Sequence, residues 1–369
     1  DLIFDLLNKL PSSSNNFSST LVAKFNSKVN IPNEKFDFHF VDEEFVYNEL
    51  VSTNSNKAAG IDNLSGKFLK DGAKILALPI TQICNLSIKK STFPTLCKLA
   101  KLKPIFKKGT RTDPKNYRPI SLLPLISKVL ERVIHTQVQE YLDKNKILYN
   151  FQSGFRSNHS TGSCLSFLSD KILKGFDGGL LSGMIAIDLQ KAFDTIDHNI
   201  LLEKMSFIGF SEPVVKWFKS YLSDRKFIVS LGNNLSDTGT LNCGVPQGSI
   251  LGPLLFLIYV NDMSESVTSD LYLYADDSCL FYQHKELNSI NTQLNNDFSN
   301  LCNWFINNKL SIHFGEDKTK CILFATKQKK KKIGRLNILY NDKEIKQFSK
   351  LSYLRCIFDE SVSGEQMVH

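Results

Sequence analysis

Hydrophobic spacing along the chain predicts alternating helices and strands. Apolar residues recur every three or four positions in seven stretches, the spacing of a helix with one buried face. Those stretches are 42–51, 75–89, 122–142, 200–208, 213–222, a run ending at 260, and 290–310. Short apolar runs at 99–106, 184–189, 227–231 and 320–325 predict strands. Asp42 and Ser211 stand directly before predicted helices, where capping residues are preferred. Because helical and strand-like stretches alternate, the pattern indicates a mixed α and β protein.

Three stretches lack a regular pattern. Residues 1–40 are rich in Ser, Asn and Phe and contain Pro11 and Pro32, which predicts a linker or N-terminal extension. Residues 109–119 predict a loop, and residues 145–163 predict an irregular segment.

Acidic residues stand at the ends of two apolar runs. Asp188 closes the predicted strand at 184–189, and Asp276 and Asp277 lie at the tip of a predicted hairpin over 271–282. Carboxylates beside buried strands need compensation, and hard divalent cations supply it. Three such groups can hold two Mg²⁺ ions about 3.5–4 Å apart. An Asp-Asp turn is also common on surfaces, so by itself this pair favours an exposed hairpin.

Positive charge is concentrated in two places. The chain of 369 residues has 45 Lys and Arg against 37 Asp and Glu, a net charge of +8. Residues 98–118 contain eight basic residues and one acid, and residues 327–335 contain six basic residues and none. Such patches favour a polyanion such as a nucleotide or nucleic acid, although a solvated surface remains the alternative.

Composition excludes several other classes of protein. A hydrophobic fraction of 42% is too high for global disorder. The longest uninterrupted apolar run, 254–260, is far shorter than the ~20 residues of a membrane span. The eight cysteines form no C-x-x-C pair, which argues against a zinc ribbon or finger and suits a reducing compartment.

Three motifs in order carry a family resemblance. They are MIAIDLQKAFD at 184–194, NCGVPQGSILGP at 242–253 and YADD at 274–277. In this order they resemble the catalytic motifs of reverse transcriptases. The phrases KAAGID at 57–62, NYRPIS at 116–121, QSGFR at 152–156 and AFDTIDH at 192–198 resemble the non-LTR retrotransposon branch, of the jockey-like, LINE type. The resemblance covers roughly residues 40–358.

The resemblance implies a fold and a division of the chain. We expect an α+β polymerase right hand with fingers and palm, its antiparallel palm sheet backed by helices. Residues 41–182 would form the fingers and the N-terminal part of the reverse transcriptase domain, and residues 183–326 the palm with the catalytic motifs. Residues 327–369 would hold the basic run and a primer-grip-like hairpin, with the thumb truncated.

The resemblance also implies catalytic roles. Asp188, Asp276 and Asp277 would bind two Mg²⁺ ions, with Mn²⁺ as a possible substitute. Lys318 would protonate the leaving pyrophosphate as a general acid. By contrast, Asp194 and Asp197 are interpreted as local hydrogen-bond acceptors or helix caps.

Further residues are assigned to substrates by the same resemblance. Phe193 would exclude a ribonucleotide 2′-hydroxyl as a steric gate. The nucleotide would also contact a loop and a basic face, which contribute Gly244, Pro246, Gln247, Gly248, Lys101, Lys103 and Arg118. Template and primer contacts would come from Phe155, Arg156 and Tyr353.

One position departs from the family pattern. The family usually carries Tyr-Leu-Gly in the primer-grip hairpin, whereas this chain has Arg355 after Tyr353 and Leu354. If the backbone there needs glycine, Arg355 adds strain of roughly 1–3 kcal/mol.

The implied partners are an RNA template, a DNA primer and dNTPs, with no membrane, in the nucleus or cytoplasm. Because the chain begins at Asp1 and shows no upstream endonuclease pattern, we expect a fragment of a longer element protein. Two alternatives stay open. One is an inactive remnant that only binds nucleic acid, and the other is a group II intron-like maturase.

Overall fold

The computed structural model describes residues 34–232, 234–315, 318–341 and 343–362. The helices are α1 (Glu43–Val51), α2 (Gly66–Asp71), α3 (Ala73–Lys90), α4 (Leu125–Lys144), α5 (Thr161–Asp177), α6 (His198–Phe207), α7 (Glu212–Leu222), α8 (Leu251–Val260), α9 (Leu287–Asn307) and α10 (Lys327–Lys330). The strands are β1 (Leu99–Phe106), β2 (Tyr117–Leu122), β3 (Leu181–Ile187), β4 (Arg225–Leu231), β5 (Asn234–Leu241), β6 (Asp270–Tyr274), β7 (Asp277–His284), β8 (Lys320–Phe324), β9 (Leu339–Tyr340), β10 (Lys343–Glu344), β11 (Lys350–Tyr353) and β12 (Cys356–Asp359). The mixed α and β class predicted from the pattern is confirmed.

Helix starts follow local capping chemistry. The Asp42 side chain accepts the Phe45 N–H at 2.8 Å, as the sequence predicted for the start of α1. Asp197 caps α6 by accepting two backbone N–H groups, which confirms its interpretation as a cap. Ser211 precedes α7 but makes no capping bond, since its hydroxyl donates to Asp37 instead.

Contacts divide the chain into two units that are each discontinuous in sequence. Unit 1 comprises the described residues within 1–147 and 193–259, and unit 2 comprises the described residues within 148–192 and 260–369. The fingers and palm boundaries expected at 182/183 and 326/327 concern functional subdomains and stay a prediction.

Unit 1 contains a mixed four-stranded sheet in the order β2-β1-β4-β5. β1 pairs antiparallel with β2 and parallel with β4, while β4 and β5 are antiparallel. Alternate residues of β1 face the core, where Ala100 and Leu102 pack with Phe227 and Val229. The other face of β1 carries lysines, so the alternating apolar and basic pattern of this strand reflects one buried and one open face.

The helical part of unit 1 is held by aromatic side chains. Phe36 packs against Tyr141 of α4 and Phe210, with ring centroids 4.7 and 5.2 Å away. Trp217 of α7 stacks on Tyr221 at 5.7 Å. These contacts explain why a Phe-rich segment precedes the first helix.

Unit 2 contains an antiparallel four-stranded sheet in the order β6-β7-β3-β8. Every residue of β3 is buried because helices cover both faces of this strand. Met184 and Ala186 share a core cluster with α5 residues such as Leu168, whereas Ile290 of α9 approaches the backbone at Gly183. The predicted buried strand ending in a carboxylate is thus an inner strand of a covered sheet.

Some elements differ from the pattern-based prediction. β2 begins at Tyr117, inside the stretch expected to be a loop, because Pro119 is tolerated on an edge strand. α5 begins at Thr161, inside the stretch expected to be irregular, behind a Ser160–Ser163 capping box. β5 had no apolar signal, since most of its side chains are exposed. The linker expected at 1–40 lies almost wholly outside the described residues.

Across the described part of the chain, helices long and apolar enough to cross a bilayer are absent. All eight cysteines carry free thiols.

Candidate active site

Asp188 follows directly after β3, where the strand emerges from the core of unit 2. Its carbonyl accepts the His313 N–H at 2.8 Å, and its N–H lies 3.4 Å from the Thr319 hydroxyl oxygen. The next residues along the chain, Leu189 and Gln190, pair with the segment that follows α9. These bonds set the position of a half-exposed carboxylate at the end of a buried strand.

Asp276 and Asp277 occupy the tip of the β6–β7 hairpin, as predicted. Tyr274 pairs with Asp277, so Ala275 and Asp276 form a two-residue turn. Ala275 has a φ of 56°, a left-handed conformation that costs a non-glycine residue of the order of 1 kcal/mol. The turn that carries the acidic pair is therefore strained.

The sheet register brings the two acidic sites together. β3 and β7 are antiparallel and their last pair is Ile187 with Ser278. Continued by one position past the end of β3, this register sets Asp188 opposite Asp277. Opposite residues of antiparallel strands lie about 4.5–5.5 Å apart at Cα and point to the same face. Two carboxylates that are far apart in sequence thus share one edge of the sheet in unit 2.

Lys318 lies against the first of these carboxylates. Its ammonium nitrogen is 2.6 Å from Asp188 Oδ2, and both side chains are about one third exposed (32% and 28%). The sequence motif singled out this lysine, and the structure brings it to the Asp188 carboxylate. The pair compensates one negative charge at the sheet edge.

The donor set suits a hard divalent cation, because Mg²⁺ and Mn²⁺ prefer carboxylate oxygens. The Lys318 ammonium demonstrates that the Asp188 carboxylate accepts positive charge at this edge. Among the residues that the structure describes, however, three or more His, Cys, Asp or Glu side chains nowhere converge on one metal position. The carboxylate oxygens therefore suit a divalent cation, but in the described conformation Asp188 is paired with Lys318.

The Gly-Val-Pro-Gln-Gly loop of unit 1 is held by hydrogen bonds at several points. The Gln247 amide nitrogen donates to Asp194 Oδ1 at 2.7 Å, and the Gln247 carbonyl accepts the Ser121 N–H at 2.7 Å. His198 Nε2 lies 2.8 Å from the Gly244 carbonyl oxygen, and burial lowers the pKa of this imidazole. Asp194 is thus a local acceptor, as its sequence context predicted.

Two glycines of this loop are required by geometry. Gly244 has a φ of 78°, and a Cβ there would lie 2.6 Å from the Asp194 carbonyl oxygen. Gly248 has a φ of 109°, and its Cβ would lie 2.8 Å from the Ser121 carbonyl oxygen. Between them Pro246 is buried and its carbonyl accepts the Ser249 hydroxyl at 2.8 Å. A shallow cavity lies beside the loop, lined in part by Pro119, Leu102, Val245 and Cys243.

Phe193 starts the part of unit 1 that follows β3. Its ring stacks on Phe256 of α8 at a centroid distance of 4.6 Å, and its carbonyl accepts the Val245 N–H at 2.9 Å. The side chain is half-buried. The ring is thus held beside the glycine-rich loop, where a steric gate is expected.

Glu131 is a site residue that the sequence reasoning missed. This buried carboxylate of α4 accepts the N–H groups of Ile250 and Leu251 at 2.6 and 3.3 Å, which caps the N-terminus of α8 directly after the loop. Burial raises the pKa of Glu131, while the nearby Arg225 guanidinium opposes that shift. The available signal was an acid inside the apolar stretch 129–134, which the adjacent Arg132 obscured.

Three predicted phosphate contacts share one face of the β1–β2 hairpin in unit 1. Arg118 pairs with Ile105, and Lys103 pairs with Ile120, so Arg118 and Lys103 are diagonal neighbours. Lys101 lies two positions along the same face. Basic residues of two neighbouring strands thus form one basic face of the hairpin.

The predicted template contacts of unit 2 differ in their surroundings. Phe155 is 51% exposed. The Arg156 guanidinium donates to the carbonyls of Tyr149 and Gln152 at 3.0 and 3.3 Å. Arg156 therefore stabilises its own loop, and its hydrogen bonds to these two carbonyls compete with a contact to a template phosphate.

Tyr353 lies elsewhere than expected for a primer contact. Its side chain is only 4% exposed and belongs to the core cluster of unit 2, because it occupies an inward position of β11. Burial raises the pKa of its hydroxyl well above the usual value. The turn of this hairpin consists of Leu354, which packs partly against the same core cluster, and the exposed Arg355, with φ angles of 50° and 67°.

Most of the chain matches one known protein family. Residues 105–351 match the family described as reverse transcriptase (RNA-dependent DNA polymerase). The chain is 34% identical over 270 residues to the probable RNA-directed DNA polymerase from transposon BS of Drosophila melanogaster, covering 71% of this chain and 30% of that protein. It is 31% identical over 297 residues to the RNA-directed DNA polymerase from mobile element jockey of the same species, covering 77% and 32%.

Similarity to a putative COX1/OXI3 intron 2 protein of Saccharomyces cerevisiae is lower, at 25% over 228 residues, covering 59% of this chain and 22% of that protein. The chain spans about a third of the length of the mobile-element relatives. The matched region includes both strand-end acidic sites and the glycine-rich loop. On this evidence the chain belongs to the reverse transcriptase family.

Proposed function

We propose that this chain is the polymerase part of a non-LTR retrotransposon protein. It adds dNMP units from dNTPs to the 3′-hydroxyl of a DNA primer, directed by an RNA template, and releases pyrophosphate. The observation that carries this proposal is the β3–β7 register, which sets Asp188 opposite Asp277 at one sheet edge. The family match and the identity to mobile-element polymerases support it.

Asp188, Asp276 and Asp277 would hold two divalent cations, with Mg²⁺ preferred and Mn²⁺ as a substitute. When bound, the cations lower the pKa of the primer hydroxyl and neutralise the triphosphate. Lys318 is already paired with Asp188, so its ammonium lies in the same site and can donate a proton to the leaving pyrophosphate.

Unit 1 would bind the incoming nucleotide. The loop of Gly244, Pro246, Gln247 and Gly248 lies along the base and sugar, because its glycines allow close backbone approach. Phe193 excludes a 2′-hydroxyl by occupying its space. The basic face of Lys101, Lys103 and Arg118 binds the β- and γ-phosphates with charge-assisted hydrogen bonds.

We also infer the parts of a polymerase right hand. The β1–β2 hairpin with its basic face belongs to the fingers, and the antiparallel sheet of unit 2 belongs to the palm. Phe155 contacts the template by stacking, while Arg156 supports the same loop. At the primer-grip-like hairpin the exposed Arg355 replaces the buried Tyr353 as the primer contact.

Primer extension tests this function. Wild-type protein with Mg²⁺ should extend oligo(dT) on poly(rA), whereas Asp188→Asn or Asp276→Asn should reduce incorporation to background, since one ligand charge is lost. The matched control is Asp170→Asn, an exposed acid of α5 that pairs with Lys174 at 2.7 Å and should leave activity unchanged.

Activity that survives either ligand change would refute the metal assignment. Folded wild-type protein that binds the template without extending the primer would favour an inactive, nucleic-acid-binding remnant. The maturase alternative is not favoured, because identity to the mobile-element polymerases is higher than to the yeast intron protein.

A further inference from the structure

The segment around Gln152 is joined by an isolated parallel bridge to the antiparallel sheet of unit 2. β6 is an edge strand of that sheet, and Gln152 makes a parallel bridge with Leu273 near its end. The Ser153 N–H donates to the Leu273 carbonyl at 2.8 Å, and the Leu273 N–H donates to the Phe151 carbonyl at 3.0 Å. This segment is thereby fixed two residues before the strained Ala275 turn.

The Gln152 side chain reaches that turn directly. It is 2% exposed, and its Oε1 accepts the Ala275 N–H at 3.1 Å and the Gly154 N–H at 2.9 Å. Two N–H donors converge on this atom, which identifies it as the amide oxygen rather than the nitrogen. The Gln152 amide nitrogen is buried and has no partner within the described residues, so only the acceptor half of the amide is used.

Gly154 shows how closely the two segments approach. A Cβ on this residue would lie 2.2 Å from the Ala275 nitrogen and 2.9 Å from its Cα. No side chain fits at such distances without a backbone shift. The Gln152 bond and the Gly154 contact therefore act on the same peptide unit, the one between Tyr274 and Ala275.

We propose that Gln152 is a positioning residue for polymerisation, which holds Ala275 in its left-handed conformation and so sets Asp276 and Asp277 relative to Asp188. Strained backbone persists only where its surroundings over-determine it. The buried Gln152 Oε1, which accepts the Ala275 N–H, and the close contact of Gly154 with Ala275 supply that constraint. The role rests on the proposed polymerase function, but the constraint on the turn is independent of it.

Gln152→Met and Gln152→Glu together test the role. Methionine keeps the length and removes the acceptor, whereas glutamate keeps an acceptor oxygen at the same place. Gln152→Met should lower kcat by about tenfold or more and raise the Mg²⁺ concentration for half-maximal rate, with the KM for dNTP unchanged. Gln152→Glu should restore kcat to within about threefold of wild type, as expected if the acceptor is what matters.

Gln283→Met is the matched control. Gln283 lies in β7 of the same unit, and its amide donates to the Lys171 carbonyl and the Ser182 hydroxyl at 3.0 and 2.8 Å, far along the strand from the turn. This variant also loses partly buried hydrogen bonds but should keep the wild-type Mg²⁺ dependence. An equal loss of kcat in Gln283→Met, or no loss in Gln152→Met, would overturn the proposal.

Hydrogen exchange separates this role from the polymerase function itself. The amide of Ala275 should exchange about tenfold faster in Gln152→Met than in wild type, and at the wild-type rate in Gln283→Met. Faster exchange with an inactive wild type would retain the constraint and reject the polymerase proposal. Unchanged exchange of Ala275 in a folded Gln152→Met protein would reject the constraint.

Discussion

Replacing Arg355 by glycine should stabilise unit 2, although it removes a long side chain. Arg355 is the second residue of the β11–β12 turn and has a φ of 67°. A left-handed conformation costs an L-residue about 1–2 kcal/mol, and glycine avoids that cost. Glycine loses more backbone entropy on folding, about 0.5–1 kcal/mol. The expected net gain in the free energy of unfolding is therefore about 0–1.5 kcal/mol, with a central value of about 0.75 kcal/mol.

The same substitution at Ser352 serves as the control, because Ser352 is an exposed residue of β11 with ordinary extended backbone. Ser352→Gly should lose about 0.5–1 kcal/mol through the entropy cost of glycine alone. Urea unfolding followed by circular dichroism measures both variants against wild type. If the backbone at Arg355 is strained, the two glycine substitutions must change the free energy of unfolding in opposite directions. A destabilised Arg355→Gly protein would refute the strain.

Three further outcomes are expected. Gly248→Ala should raise the KM for dNTP at least tenfold through backbone strain and a clash with the Ser121 carbonyl, whereas Gly232→Ala, also at positive φ (59°) but with open space around it, should leave this KM unchanged. Equal KM values would argue that the loop does not contact the nucleotide. Phe193→Val should admit ribonucleotides in primer extension, and unchanged sugar selectivity would exclude the gate. Burial lowers the folded-state pKa of His198. Its neutral form therefore stabilises unit 1 above about pH 6.5, and this contribution is lost as the pH falls. His198→Gln should flatten the dependence of the urea midpoint on pH between 7 and 5, and a pH dependence equal to that of wild type would contradict this.

Much of the candidate site could be predicted because its signals are local. Asp188 closes an apolar strand and Asp276 and Asp277 interrupt an apolar hairpin, and both features are visible as short-range patterns. The glycines of the loop at 244–248 similarly signal close approach or left-handed backbone before the partner is known. The structure confirms strand β3, the hairpin and the loop at these positions.

Burial of single side chains was not predictable in the same way. Tyr353 was expected to contact the primer, yet its inward position in β11 buries it, and a one-residue change of register would reverse that. Arg156 was expected to contact the template, but it is engaged by carbonyls of its own loop. Both assignments depend on which way the side chain faces and which groups surround it in the folded chain. Neither can be read from the amino-acid composition.

The sequence by itself determined most of the helices and strands and where carboxylates, glycines and basic residues interrupt them, because helix and strand periodicity depend on neighbours a few positions apart. Only the tertiary structure decided which interruptions meet. The antiparallel register of β3 and β7 sets Asp188 opposite Asp277, 89 positions away in the chain. The buried oxygens of Glu131 and Gln152 found backbone donors more than 100 positions away, at α8 and at the Ala275 turn. A buried acceptor must be satisfied by whatever donor the packing brings to it, and packing is a property of the whole chain.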